Sequence, residues 1–362
     1  MKVLLVTELF APSVGGVQAR FMAWAKEMLR QGHAVEVWCV ADVAGLAAFE
    51  LVENVTVRRI VQHDDYRAGG FGKRHVPTVL RFCMALWSAR QSVVAFDAVV
   101  FGKWPFLHAL LVPYPTGPRM LFDWCELRSG RVWSLLYAAL RRRRLVHIAI
   151  HTGIREWLVS CAVPASNVAV IGSAAEVPAG FTAPPRIDRR IVFVGRLNTH
   201  KQPLLMLQAF HGLQLGAAGY SMHIAGSGQD AEAIAALARE TPGAFFHGPV
   251  GDAEKFALLA SATLMVLPSV REGFPVVLAE ACAVGTPTLT IDEPDNGTAF
   301  VVRQLECGWV SEPSVAALGE AMRTYACMDS AEWSRCAANA ERHSTQTLSI
   351  EAQVRMLLNA AS

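Results

Sequence analysis

Short continuous apolar runs, each leading into a stretch of helical spacing, recur along this chain in two series, and that alternation limits its fold more than any other feature. The first run is Lys2-Val3-Leu4-Leu5-Val6-Thr7, the pattern of a strand buried on both faces of a parallel sheet. A loop holding Pro12, Gly15 and Gly16 follows. Residues 17–31 then place Phe21, Trp24, Met28 and Leu29 on one side of a helix that Gly32 ends, and 34–40 is the next strand. This is a βαβ opening. Strands at 55–61, 98–101, 119–122, 145–150 and 168–171 continue the series, with a helix at 154–161 before the last.

Residues 173–190 break the alternation, with Pro178, Pro184 and Pro185 among small and charged residues, the composition of a linker. A second series opens with Arg190-Ile191-Val192-Phe193-Val194-Gly195. Strands at 221–225, 244–247, 263–267 and 286–291 then alternate with helices near 204–213, 231–239, 252–260 and 276–283. Two doubly wound α/β halves of similar size would leave a cleft at the carboxyl ends of two parallel sheets, where ligands of open α/β folds bind. A length of 362 residues suffices for two such domains, and 52% hydrophobic against 18% charged residues exclude wholesale disorder. A net charge of +2 gives no reason to expect nucleic acid as a partner.

The eight cysteines form no C-x-x-C pair and no zinc-type spacing with histidine. Residues 1–6 run into an apolar strand without the apolar stretch of a secretory signal. The expectation is free thiols in a reducing cytoplasm. No uncharged apolar run reaches about 18 residues, so no transmembrane helix is expected. The mean hydropathy of +0.30 leaves room for a membrane-surface face.

The segment richest in chemistry is Arg271-Glu272-Gly273-Phe274-Pro275-Val276-Val277-Leu278-Ala279-Glu280. Glu272 to Pro275 reads as a tight loop opening a helix, with Pro275 in the first turn, where its missing N–H is not needed. The N–H groups of Gly273, Phe274 and the first turn, Val276 included, can face an anion or a sugar hydroxyl. Glu272 and Glu280 can accept hydrogen bonds from separate hydroxyls of one extended ligand. The structural alternative is that Glu272 caps the helix and Glu280 pairs with a surface arginine. Against it, Glu280 stands between Ala279 and Ala281 in an apolar helix, and an acid buried there is costly unless paired or bound.

Glu-Gly-Phe-Pro with a second glutamate after seven residues resembles the signature of glycosyltransferase family 4, retaining enzymes of GT-B fold. The likeness continues in Val194-Gly195-Arg196-Leu197-Asn198-Thr199-His200-Lys201-Gln202-Pro203, in Ala225-Gly226-Ser227-Gly228, in Phe246-His247-Gly248-Pro249-Val250 and in Glu8-Leu9-Phe10-Ala11-Pro12-Ser13-Val14-Gly15-Gly16-Val17. It implies an α/β GT-B fold of two doubly wound, Rossmann-like domains facing a central cleft. The expected division is an acceptor-side domain at 1–172, a linker at 173–190, a nucleotide-sugar domain at 191–340, and a terminal helix at 341–362 packing back on the first domain.

The resemblance also assigns roles. Arg196 and Lys201 match the pair that neutralises the donor diphosphate, which suits a leaving group that gains negative charge and is held by fixed cations. No Asp-x-Asp of the metal-binding sort accompanies them, so no metal and no separate cofactor are expected. Gly15, Gly16, Gly226, Val250, Glu272, Gly273, Phe274, Pro275, Val276 and Glu280 complete the donor site. For Gly15, Gly16 and Gly226 the alternative is a plain chain turn. Many family members carry a histidine after the strand that reads Met120-Leu121-Phe122 here, whereas this chain has Asp123-Trp124-Cys125-Glu126. Asp123 takes that place, either as a site carboxylate with Glu272, Arg196 and Lys201 in catalysis or as the cap of a helix at 126–140. A second departure is Gly172-Ser173-Ala174-Ala175-Glu176, where the family usually shows Asn-Gly. The loop Asp292-Glu293-Pro294-Asp295-Asn296-Gly297-Thr298 resembles one that closes near the donor, although solvated loops read the same way.

Arg141 to Arg144, after Trp133, Leu135, Leu136, Tyr137 and Leu140, suits contact of residues 131–144 with an anionic membrane, or else a solvated helix end. His33, His108 and His147 read as packing or surface residues. The resemblance implies a transferase moving a hexose from a UDP- or GDP-linked sugar to a hydroxyl of a glycan, lipid-linked or small-molecule acceptor by front-face attack. It would work in the cytoplasm, with the inner face of the membrane as the alternative site. An epimerase of the same architecture would want acid–base carboxylates and histidines in the first domain, and a nucleotide-sugar-binding subunit without catalysis is a further reading. A nicotinamide oxidoreductase would need G-x-G-x-x-G after the first strand, and Pro12-Ser13-Val14-Gly15-Gly16-Val17 does not supply it.

Overall fold

The computed structural model describes residues 1–13, 15–64, 66, 75–112, 116–128, 130–328 and 330–362, so Val14 of the first glycine loop lies outside the described residues. The chain divides into two units, Met1–Gly172 with Ile350–Ser362, and Ser173–Ser349.

The first unit opens with β1 (Lys2–Val6), α1 (Gly16–Arg30), β2 (Ala34–Ala41), β3 (Phe49–Val52) and β4 (Val55–Gln62). It continues through α2 (Val76–Ser88), α3 (Arg90–Val93), β5 (Ala98–Phe101), α4 (Leu107–Leu111) and β6 (Arg119–Trp124). Then come α5 (Arg131–Arg141), β7 (Val146–Ala149), α6 (Thr152–Ser160) and β8 (Val168–Val170). The sheet order is β3-β4-β2-β1-β5-β6-β7-β8, parallel throughout except for the antiparallel β3–β4 pair. The apolar runs are central strands: Val3, Leu4, Leu5 and Val6 are all buried, as are the four residues of β5. Burying such side chains on both faces is worth about 1.5–3 kcal/mol each and fixes β1 at the centre.

Phe21, Trp24 and Met28 of α1 pack into the same core as Val354, Leu357 and Ala361 of the last helix. The Trp24 indole N–H also donates to Gln353 Oε1 at 3.2 Å.

The second unit runs β9 (Arg190–Val194), α7 (Pro203–Gly212), β10 (Ser221–Ala225), α8 (Ala231–Glu240), β11 (Ala244–Gly248) and α9 (Asp252–Ser261). There follow β12 (Leu264–Leu267), β13 (Arg271–Glu272), α10 (Val276–Ala283), β14 (Thr288–Ile291) and β15 (Asp295–Asn296). It closes with α11 (Gly297–Leu305), β16 (Gly308–Ser311), α12 (Val315–Tyr325) and α13 (Ala331–Gln346), while α14 (Ile350–Ala361) belongs to the first unit. The main sheet has the order β11-β10-β9-β12-β14-β16, all parallel. Its winding reverses between β9 and β12, the topological switch point of a doubly wound sheet.

Two boundaries differ from the sequence expectation. Residues 173–190 are not a free linker but the first stretch of the second unit. Arg186 donates to Thr286 Oγ1 (2.8 Å), to Val284 O (2.7 Å) and to Ala262 O, and it stacks over Trp333. Ile187 N–H adds a bond to Ser261 O at 2.8 Å. Residues 341–349 likewise stay with the second unit because α13 runs on to Gln346, so only Ile350–Ser362 joins the first.

Candidate active site

The candidate residues of the second unit gather where its strands end. After β9 the chain turns through Gly195 and Arg196 into a 3₁₀ turn, Thr199–Lys201, that buries Lys201. After β12 it passes Ser269 and Val270 into the two-residue strand β13. Val270 N–H donates to His200 O at 2.9 Å, which ties the two loops together. Their side chains meet: the Lys201 ammonium forms an ion pair with the Glu272 carboxylate, both largely buried. The β9 and β12 loops leave the sheet on either side of the switch point, where open α/β sheets bind ligands.

Glu272 is held by the chain on its other side as well. β13 pairs with β15, Glu272 opposite Asn296. Asn296 is buried; its amide donates to Thr290 Oγ1 (3.0 Å) and Ile291 O (2.9 Å), and its Oδ1 accepts from Thr298 N–H (3.2 Å). The loop at 292–298 therefore closes beside Glu272 and caps α11 through Asn296. Burial pushes the His200 imidazole below its ordinary value; Glu272 opposes this, while Lys201, Arg271 and Arg196 add to it. Three cations thus crowd one loop end. The Arg196 side chain is exposed.

A side chain at Gly226 would force the backbone beside it to move. Its φ is +146°, and a Cβ there would lie 1.8 Å from Gly195 O. Gly228 repeats the pattern at φ +155°, 2.1 Å from Leu197 O. The backbones lock through Gly195 N–H to Ala225 O (3.0 Å), Leu197 N–H to Ser227 O (2.8 Å) and Gly226 N–H to Gly248 O (2.7 Å). Here the plain-turn reading is the one the geometry supports, since Gly226 and Gly228 shape the loop that carries Arg196 and Lys201. Val250 follows β11 and is half-buried.

Gly273, Phe274 and Pro275 are buried, and Phe274 O accepts from Ser173 Oγ at 2.6 Å. That bond comes from the Gly172-Ser173 segment where the chain departs from the family pattern. Pro275 occupies the N-cap of α10 rather than its first turn, and no side chain caps this end, where Val276 begins the helix. Glu280 is buried and does not meet a surface arginine; Lys255 of α9 donates to its Oε1 at 2.7 Å and to Asp252 Oδ1 at 2.8 Å. Desolvation raises the Glu280 carboxyl against the pull of Lys255. Burial lowers Lys255, but Glu280 and Asp252 outweigh it and hold the ammonium above its usual value.

In the first unit Gly15 and Gly16 open α1. Gly15 is extended (φ 177°), and a Cβ there would meet only the movable amide end of Gln18. At Gly16 a Cβ would meet nothing within 4 Å. Asp123 is neither a helix cap nor an open carboxylate. It lies within β6, fully buried, and pairs with Arg20 of α1 at 3.2 Å. Arg20 also donates to Ile171 O (2.7 Å) and Gly172 O. Desolvation raises the Asp123 carboxyl, and Arg20 then Lys103 pull it back. The helix expected at 126–140 starts at Arg131, with Gly130 as its N-cap.

Sequence reasoning passed over Asn198, Ser269 and Thr298. Among the described residues the buried Asn198 Oδ1, Ser269 Oγ and Thr298 Oγ1 atoms find no hydrogen-bond partner, which in folded proteins marks atoms left for a ligand or water. All three belong to the loops that hold Lys201 and Glu272 or close beside them. Lys255 was missed too, since nothing local couples it to a residue 25 positions away. In the first unit a cavity of about 410 Å³, lined by Arg119, Arg144 and Asn167, lies at the amino-terminal ends of β6 and β7.

Residues 182–343 match the family model of glycosyl transferases group 1. The matched stretch lies within the second unit. A lipopolysaccharide 1,6-galactosyltransferase of Salmonella typhimurium is 29% identical over 153 residues, covering 40% of this chain and 42% of the relative. Among solved structures, a sucrose-phosphate synthase of Thermosynechococcus elongatus superposes with a TM-score of 0.73 at 16% identity, over 100% of both chains. An Anabaena protein, HepE, solved with UDP, gives 0.72 at 16% identity over 99% of both. These likenesses place the fold in the GT-B class.

Proposed function

We propose that this chain is a retaining glycosyltransferase that moves a hexose from a UDP- or GDP-linked donor to an acceptor hydroxyl without a metal. The observation that carries the reading is the Lys201–Glu272 pair at the switch point of the group 1 domain. A nucleoside diphosphate leaving group gains charge as its glycosidic bond breaks, and fixed cations at Lys201 and Arg196 stabilise it. Diphosphate that takes over Lys201 frees the Glu272 carboxylate to accept from sugar hydroxyls. The uncapped start of α10 at Val276 adds backbone donors with a favourable dipole. Glu280, held by Lys255, accepts from a hydroxyl further along the ligand, the ribose in this reading. Asn198, Ser269 and Thr298 supply the remaining polar contacts.

Attack comes from the face that the diphosphate leaves, and the departing oxygen takes the acceptor proton, so no second catalytic carboxylate is needed. The relative named for lipopolysaccharide favours a glycan or lipid-borne acceptor, and HepE solved with UDP favours a UDP-linked donor. At Gly15 a Cβ would meet only the movable end of Gln18 and at Gly16 nothing within 4 Å, so the backbone before α1 stays open to close approach of a phosphate or an acceptor. Asp123 contributes by holding Arg20 in place. Residues 131–144 touch an anionic membrane from its cytoplasmic side. A thermal-shift panel of UDP-, GDP- and ADP-sugars, followed by donor hydrolysis with Glu272→Ala and Lys201→Ala, tests the reading. If no nucleotide sugar stabilises the parent, it is wrong.

A further inference from the structure

At the start of β6 and β7 the amino-terminal unit brings two arginines to one recess. The strands run parallel with Leu121 opposite Val146, and two residues before that pair stand Arg119 and Arg144. Both line the cavity of about 410 Å³ at this end of the sheet, with Thr116 and Asn167 beside them. Met120, Leu145 and Val146, all buried, give it an apolar floor. Among the described residues its lining holds no acid.

Like charges at matching places on neighbouring strands repel unless something of opposite sign stands between them. The surrounding chain does not supply it. Asp97, just before the strand partner of Arg119, accepts from Lys2 N–H at 2.6 Å. Among the described residues no ion pair or side-chain hydrogen bond holds Arg119 or Arg144. Two other arginines of the 141–144 run are tied to the protein instead: Arg141 lies over the Trp157 ring at 5.0 Å, and Arg143 donates to Val112 O at 2.7 Å. A single arginine on open surface is satisfied by water. Two that meet at one recess without a carboxylate form a receptor for an anion.

We propose that this cavity binds a soluble phosphate monoester of about sugar-phosphate size, its phosphate between the Arg119 and Arg144 guanidiniums. A planar guanidinium fork matches phosphate oxygens with paired N–H donors. The Thr116 hydroxyl and the Asn167 amide can bond hydroxyls of the carbon skeleton, which rests on the apolar floor. A volume of about 410 Å³ falls in the range of small-molecule sites and exceeds what inorganic phosphate needs. Open α/β sheets take their ligands at the carboxyl ends of the strands, and this recess is at the other end of its sheet. The inference does not depend on the donor reading.

The test is calorimetric titration of ribose 5-phosphate, at constant ionic strength, into the full chain carrying Lys201→Ala, which lacks the ammonium proposed to hold donor phosphate. The same titration is run on Lys201→Ala with Arg119→Gln and Arg144→Gln. The first protein should bind, the second at least about tenfold more weakly, and ribose should bind neither. Equal affinity in the two, or no binding to the first, would overturn the proposal and leave the donor reading untouched. Without ligand the glutamine pair should melt no lower than its parent, since a repulsion has been removed, and ribose 5-phosphate should raise the melting temperature only where the arginines are present. If the glutamines destabilise the chain, Arg119→Lys with Arg144→Lys keeps the charge, loses the fork and should also bind more weakly. Vesicles of phosphatidylcholine with phosphatidic acid present the same monoester on a lipid. Binding to them through the two arginines, with none to ribose 5-phosphate, would overturn the soluble ligand.

Discussion

Gly226→Ala strikes the turn that holds the candidate site in shape, and its cost can be worked from the backbone. The new Cβ would stand 1.8 Å from Gly195 O, a backbone atom that no rotamer change can move. The loops must part, which removes the bonds from Gly226 N–H to Gly248 O and from Gly195 N–H to Ala225 O. Strain for an alanine at a φ of +146° adds to that loss. Together these amount to about 3–5 kcal/mol, at about 1–3 for strain and about 1 for each bond. For a unit of this size that lowers the melting temperature by roughly 10 °C. Gly16→Ala is the control, because its Cβ would meet open space within 4 Å, and its effect should stay within about 0.5 kcal/mol. Urea unfolding followed by circular dichroism measures both. A Gly226→Ala protein that unfolds with the parent would refute the close approach of the two loops.

Lys255→Ala leaves the buried Glu280 carboxylate without its cation and should cost about 2–3 kcal/mol, less than a fully buried pair because Lys255 keeps some solvent contact; adding Glu280→Gln should recover most of it in the same unfolding assay. Asp123→Asn strands Arg20 in the interior and should lower stability by about 3 kcal/mol, with turnover at low temperature largely kept; full stability with lost turnover would instead make Asp123 a catalytic residue. The buried His108 is pushed down to about 3, chiefly by desolvation. A folded value below the unfolded one means that this contribution to stability is complete above about 6.5 and lost as pH falls toward 3. The slope is about 1.4 kcal/mol per pH unit. His108→Phe, whose ring would sit between Phe82 and Phe101, should flatten that acid limb in unfolding curves recorded across this range.

The parallel sheets were legible because their strands are buried on both faces and read as unbroken apolar runs, as in β1 and β9. The short antiparallel β3 was not. Its hairpin turn is Glu53-Asn54, both with positive φ, and a turn of that type usually announces itself with a glycine. The loops proposed to hold the donor could be found from Glu272, Glu280 and Lys201, since each motif is local. Their partners could not: Arg20 is 103 residues from Asp123, and Lys255 reaches Glu280 only because α9 and α10 pack together. Asp123 could not be read further for the same reason, as a carboxylate at the end of a strand reads the same whether a ligand or a buried arginine faces it. The joint at 173–190 misled differently: its prolines signal irregular backbone, which Arg186 nonetheless fastens to the second unit.

The most direct test of the proposed donor site is a calorimetric titration of UDP into the parent and into Lys201→Ala, without added metal and at two salt concentrations. UDP should bind at one site per chain, at least about tenfold more weakly in the variant, with a smaller salt dependence once the cation is gone. Equal affinity for UDP in parent and variant, or no binding to either, would contradict it.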